Sequence, residues 1–382
     1  MPSVMSFPTR IVFGRGAIRE LPAELKRAGA SRPLLVTDRG ILQAGLLRFV
    51  TPLLEQAGVK AAIFSDFEAN PTDADALKGI EAYRAAKADS VLGVGGGASL
   101  DMAKAIALLV NHPPPLSQYD DAKGGDARID KPVPPIVQVP TTAGTGSEVG
   151  RSTVLIIAGT KTVLFSPALM AKAAILDPEL TVGLPPFITA ATGMDALTHN
   201  LEAYVARGEH PLADAVAIDG LRRIGRSLKR AVQNGKDLEA REQMLLGSAF
   251  GAIAFQKGLG ACHSVAHALT PVAGTHHGLA NSLMLPAVVN FNRLAAEQRL
   301  AEAAVALGAD AKMSIAERAH LCAELVDDLR VACGLPRKLS QAGVRREMIP
   351  QLVEKALADA CHQSNPRPVT QVDFERLIEE AF

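Results

Sequence analysis

Apolar strand-like runs and helical segments alternate through residues 33–178, and after about Pro186 the strand signal almost vanishes. The runs are PLLVTD (33–38), AAIFSDF (61–67), DSVLGVGGG (89–97), PPIVQVPTT (134–142) and AAILDP (173–178). Helical patterns such as LLRFVTPLLEQAG and ADALKGIEAYRAAK lie between the first of them. Such alternation predicts a parallel sheet with both faces covered by helices. The segments beyond Pro186 are long and amphipathic, among them TAATGMDALTHNLEAYVA and PLADAVAIDGLRRIGRSLKRAV. We therefore expect an α/β domain over residues 1–183 and an all-helical domain over 184–382. A chain of 382 residues suits two or three domains and buries a core without disulfide or metal staples. The Pro and Gly cluster from Pro113–Pro115 to Gly124–Gly125 reads as an exposed excursion.

Charge and cysteine content narrow the function classes. Lys plus Arg and Asp plus Glu each number 40, which argues against a broad electrostatic nucleic-acid binder. With no Trp and 4% aromatics, a base-stacking platform is not expected either. The four cysteines, Cys262, Cys322, Cys333 and Cys361, form no CxxC pair and are expected to be free thiols in a reducing compartment. No apolar run approaches the ~18 residues of a membrane span, and the N-terminus lacks a basic region followed by an apolar stretch. The expectation is a cytoplasmic protein with no membrane or nucleic-acid partner.

Two loops follow strands in the first half. Gly95-Gly96-Gly97-Ala98-Ser99-Leu100-Asp101 joins a strand to a helix. Glycines let a backbone approach a pyrophosphate, the helix N-terminus offers unpaired N–H groups, and Ser99 can cap or contact phosphate. The spacing is not GxGxxG, and a tight strand-to-helix turn is the bland alternative. Pro140-Thr141-Thr142-Ala143-Gly144-Thr145-Gly146-Ser147-Glu148 follows a second strand, where open α/β sheets bind ligands; an ordinary hydroxyl-rich loop is its alternative. Asp38, ending PLLVTD, suits a ribose hydroxyl and repels a 2′-phosphate, which favours NAD over NADP, although a turn residue reads the same way.

The strongest constellation lies in the helical half. Asp195 and His199 are four apart, His263 and His267 repeat that spacing, and His277 follows Pro271 and Gly274, read as helix breakers that leave it in a loop. Groups at i and i+4 share a helix face. Imidazole with carboxylate suits Fe²⁺, Zn²⁺ or a neighbouring metal. One such pair alone would be unremarkable; two pairs and a loop His among nine histidines are not. Glu202 shares the Asp195/His199 face and is either a supporting carboxylate or a solvated one. His112, His210, His320 and His362 read as surface groups.

On the motifs GGGASLD, PTTAGTGSE, GMDALTHNLEAY, CHSVAHAL and HHGLANSLMLP, the chain resembles the iron-containing alcohol dehydrogenase family, group III of the dehydroquinate synthase-like superfamily, over essentially its whole length. The resemblance implies a dinucleotide-binding α/β domain, a helical catalytic domain and a homodimer. It makes Asp195, His199, His263 and His277 the metal ligands, with Fe²⁺ expected and Zn²⁺ the alternative, and His267 a non-ligand histidine that assists proton transfer. It makes Asp38, Gly96, Gly97, Ser99, Thr141, Thr142, Thr145 and Lys161 the contacts of NAD, with NADP as the alternative cofactor. Retention of His199 matches the iron-type branch rather than the glycerol dehydrogenase branch. The chain departs from the family at His276, where Pro is frequent, and at Gln256, where Asn is common.

The activity implied is hydride transfer between a small alcohol and its aldehyde or ketone. The alternatives are a maleylacetate reductase-like or hydroxyacid–oxoacid enzyme, a metal-dependent hydrolase with structural glycine loops, and a catalytically silent nucleotide binder. Arg151 is open between a substrate carboxylate, a phosphate and a surface acid.

Overall fold

The computed structural model describes Phe7 and residues 9–382, which divide into two compact units. One spans Phe7–Thr142 and Gly146–Gly183; the other takes Ala143–Thr145 and Leu184–Phe382. The first unit runs β1 (Arg10–Phe13), α1 (Leu21–Arg27), β2 (Pro33–Val36), α2 (Arg39–Gln43), α3 (Thr51–Gln56), β3 (Ala62–Phe64), α4 (Asp73–Ala85), β4 (Ser90–Gly95), α5 (Gly97–Asn111), β5 (Ile136–Pro140), β6 (Ser152–Ile157), β7 (Thr160–Phe165) and β8 (Ala173–Leu176). The second runs α6 (Pro186–Val205), α7 (Pro211–Gln233), α8 (Leu238–Ala254), α9 (Ala261–Ala273), α10 (His277–Asn292), α11 (Glu297–Leu307), α12 (Ile315–Ala332), α13 (Ile349–Ala358) and α14 (Gln371–Glu380). This is the expected fold class, a parallel sheet unit and a helical unit.

The sheet has the order β1-β8-β5-β4-β2-β3, and every neighbouring pair is parallel. β2, β4, β5 and β8 are buried along their whole length, as a doubly covered sheet requires. Leu34, Val36 and Val91 pack on one face with Met102 and Ile106, while Leu35, Leu92 and Val94 pack on the other with Leu21 and Leu25. β2 continues to β3 on one side, whereas β4, β5 and β8 build outward on the other. The direction of winding therefore reverses between β2 and β4, and the crevice at such a reversal is where open sheets take ligands.

Three features depart from the pattern reading. β1 and the antiparallel hairpin β6–β7 were not among the expected strands. The 113–125 segment is not a free excursion: Leu116, Tyr119 and Gly125 are buried. Pro271 lies inside α9 and breaks nothing; Gly274, at φ 67°, ends the helix, and His277 opens α10 rather than sitting in a loop.

In the helical unit α6 is buried almost all round. Its neighbours come close only because glycine faces it. A Cβ on Gly278 would stand 2.1 Å from the Ala191 carbonyl oxygen, so α10 can start against α6 only with no side chain there.

Candidate active site

At the sheet reversal, Asp38 follows β2 and the glycine turn follows β4. Asp38 caps α2, its Oδ1 accepting from the Ile41 N–H at 3.0 Å, and its Oδ2 accepts from Ser99 Oγ at 2.7 Å. Gly95 has φ +150°, and a Cβ there would meet Ser99 Oγ at 2.4 Å. Gly96 is the N-cap of α5 and Gly97 its first residue. Ser99 therefore does not cap; it sits fully buried and its hydroxyl turns to Asp38. The first N–H groups of this 15-residue helix have no partner inside it and face whatever occupies the turn. The Thr141 N–H donates to the Gly95 carbonyl at 2.9 Å, which sets the threonine loop beside the glycine turn. Thr142 lies against Gly96. Thr145 belongs with Ala143 and Gly144 to the helical unit, where Ser248 Oγ donates to the Gly144 carbonyl at 3.1 Å.

Beneath this loop α5 carries two ionisable side chains, Lys104 fully buried and Asp101 half-buried. Lys104 Nζ donates to the carbonyls of Ser147, Gly150 and Ser152 at 2.6, 2.9 and 2.8 Å, and burial lowers its pKa. Ser147 Oγ donates to Asp101 Oδ1 at 2.6 Å, and burial raises that carboxyl against the pull of Lys104. Lys161, on β7, adds a further positive charge facing Asp101. Arg151 stacks its guanidinium over the Phe165 ring at 5.0 Å.

In the helical unit the polar side chains converge. Asp195 Oδ1 lies 3.5 Å from His277 Nε2, 3.8 Å from His263 Nε2 and 4.0 Å from His199 Nε2. One ligand atom each of Asp195, His263 and His277 falls within 4.8 Å of the others, and His199 stacks on His263 at 4.6 Å. Asp195, His199 and His263 are buried. Burial lowers the His199 pKa to about 4 against the attraction of Asp195, so the ring is neutral at pH 7 and keeps a lone pair.

Glu202 resolves in favour of support. Its carboxylate is buried and accepts from His263 Nδ1 at 2.6 Å, from the Cys262 N–H at 2.8 Å and from the His263 N–H at 3.3 Å. It thereby caps α9 from another helix and fixes the His263 tautomer, leaving the Nε2 lone pair aimed at Asp195. Asn281, unnoticed in the sequence, brings Nδ2 to 2.7 Å from Asp195 Oδ1, 3.3 Å from His263 Nε2 and 3.2 Å from His277 Nε2. A carboxylate and three imidazoles thus converge with one amide among them, and this donor set fits a divalent cation.

His267 lies beside this centre. Its ring stacks on His277 at 5.3 Å and its Nδ1 is 2.7 Å from Asp359 Oδ2. Asp359, also missed, arrives from 92 residues away and carries no local signal; Asn281 shares the α10 face of His277 four residues on, which periodicity shows. Of the histidines read as surface groups, His112 and His210 are buried. His112 bridges the Leu108 carbonyl and the Lys131 N–H, and His210 caps α7 by accepting from the Ala213 N–H. His276 meets Phe187 edge-on at 6.4 Å, and Gln256 Nε2 donates to the Ile253 carbonyl.

Two family models match the chain: the iron-containing alcohol dehydrogenase model over residues 8–178, and the C-terminal model of the Fe-containing alcohol dehydrogenase family over 189–382. The chain is 40% identical to a 4-hydroxybutyrate dehydrogenase of Cupriavidus necator, covering 98% of each. It is 37% identical to an NAD-dependent methanol dehydrogenase of Bacillus methanolicus, with the same coverage. Among solved structures, a 1,3-propanediol oxidoreductase superposes with a TM-score of 0.95 at 35% identity over 100% of both chains.

Proposed function

Because this chain belongs to the iron-containing alcohol dehydrogenase family, we propose that it interconverts a small alcohol and its aldehyde or ketone by NAD-dependent, metal-assisted hydride transfer. The observation that carries the reading is the convergence of one carboxylate and three imidazoles, with Asp195 Oδ1 within 3.5–4.0 Å of a ring nitrogen of His277, His263 and His199. When bound there, a divalent metal supplies Lewis-acid polarisation of the alcohol oxygen, and NAD supplies the hydride acceptor. Fe²⁺ is the expected metal and Zn²⁺ competes for the same ligands.

The chain's own residues supply holding, orientation and proton movement. Asp195, His199, His263 and His277 hold the cation, and Glu202 keeps Nε2 of His263 free for it. Asp38 takes the adenosine ribose, Gly96, Gly97 and Ser99 form the pyrophosphate turn, and Thr141, Thr142, Thr145 and Lys161 complete the cofactor contacts. Support for this half comes from the reversal of winding between β2 and β4. Alcohol oxidation loses a proton as well as a hydride, and His267, held through Nδ1 by Asp359, carries that proton toward water from Nε2. In this reading the α/β unit binds the dinucleotide, the helical unit holds the metal, and the enzyme works as a homodimer.

A hydroxy-acid substrate is the second reading, favoured by the 4-hydroxybutyrate dehydrogenase relative. One screen addresses both: short alcohols, diols, hydroxy acids and aldehydes with NAD(H) and NADP(H), after reconstitution with Fe²⁺ or Zn²⁺. Metal-dependent NADH formation is expected. Absence of any turnover-linked NADH signal across the panel would overturn the proposal.

A further inference from the structure

A second set of ligand-type side chains stands one helical turn from the first. His267, Asp359 and Cys361 each bring one ligand atom within 4.8 Å of the other two. Asp359 Oδ2 is 2.7 Å from His267 Nδ1, and Cys361 Sγ is 4.0 Å from the same nitrogen. The carboxylate is fixed from behind: its Oδ1 accepts from Ser264 Oγ and from the Cys361 N–H, both at 2.8 Å. That turn of backbone carries the thiol to the ring. In tetrahedral zinc sites, bonds of ~2.0–2.3 Å set neighbouring ligand atoms ~3.3–3.7 Å apart. Coordination requires the nitrogen–sulfur distance to close and the nitrogen–oxygen pair to open by only about 0.5 Å each.

We propose that His267, Asp359 and Cys361 form a second metal site, selective for a thiophilic divalent cation such as Zn²⁺, whose occupation inhibits the enzyme. Imidazole, carboxylate and thiolate are zinc's own ligand set, with water in the fourth position, whereas the centre at Asp195 offers only nitrogen and oxygen. On binding, the Cys361 thiol and the His267 Nδ1 each give up a proton to water. The hydrogen bond between His267 and Asp359 is replaced by two bonds to the cation. The coordination stands independently of the redox reading; its inhibitory effect rests on His267 carrying the proton. The remaining thiols do not compete. Cys262, Cys322 and Cys333 are buried, and burial pushes Cys322 up to about 12 and Cys333 up to about 11.

The test uses the full-length enzyme loaded with its primary metal in thiol-free buffer. Ellman's reagent should label Cys361 in the folded protein, and added Zn²⁺ should abolish that labelling while one further equivalent of zinc is retained. Co²⁺ in place of Zn²⁺ should give a near-ultraviolet sulfur-to-cobalt charge-transfer band, which nitrogen and oxygen ligands cannot produce. Cys361→Ser should keep basal turnover and lose the extra equivalent, the band and the inhibition by zinc. Asp359→Asn keeps the thiol reactive and should lose its protection by zinc. Undiminished labelling of Cys361 in excess Zn²⁺, or equal metal binding by Cys361→Ser, overturns the site. Protection of the thiol with undiminished turnover supports the site and instead removes His267 from the proton path.

Discussion

Two side chains at the site have proposed roles that substitution can isolate. His267 touches the centre through its stack on His277, and its Nδ1 is held by Asp359, so the ring is oriented beside the Asp195 centre without serving as one of its ligands. Burial opposes ionisation of Asp359, but the His267 ring, the Cys361 N–H and the Ser264 hydroxyl hold that carboxyl well below its usual range, and the ring keeps a charged partner through the working pH range. His267→Ala should retain metal and NAD binding while kcat falls by about 10²–10⁴-fold, the usual worth of general acid–base help. Its pH–rate profile should change as well; loss of metal would make His267 a ligand instead. Asp38 faces the glycine turn with Oδ2 already bonded to Ser99. A 2′-phosphate there would meet a carboxylate, so Asp38→Gly should raise NADP use relative to NAD in steady-state assays with both cofactors. Better use of NADP by the unmodified enzyme would refute that assignment.

At the scale of elements, position depends on contacts that pattern reading cannot see. The i, i+4 pairs on α6 and α9 were legible because helical periodicity fixes which residues share a face. What turns α9 toward α6 is Glu202, which caps the helix and grips the His263 ring at once; spacing placed it on the right face without saying what it would meet. Lys104 plays the matching part under the threonine loop, tying three backbone carbonyls to α5. Lys104→Met should lower stability by about 3 kcal/mol or more, because buried carbonyls lose their donor. Denaturant unfolding measures the loss, and weaker NAD binding should accompany it. The β6–β7 hairpin escaped notice because its tight turn is Ala158-Gly159, with φ 49° and 73°, not the Asn-Gly or Asp-Gly that announces such turns. β1 escaped because four residues, two exposed and two half-buried, give too short a pattern.

Across the molecule, the parallel sheet and the helical second unit could be read from the chain because apolar strands stop where long amphipathic segments begin. The buried partners could not. Asp359 reaches His267 across 92 residues, and Asn281 reaches Asp195 across 86; only tertiary packing joins them. Histidines read as surface groups for want of a motif proved to be a helix cap at His210 and a buried bridge at His112. The centre that packing assembles draws on α6, α9 and α10 together, so removing one imidazole should empty it without unfolding the unit. The decisive measurement is the metal content per chain of His199→Ala and His263→Ala after reconstitution, read beside NAD-dependent turnover of the same samples. The account predicts that metal and turnover fall together in both variants. Full metal occupancy in both would contradict it.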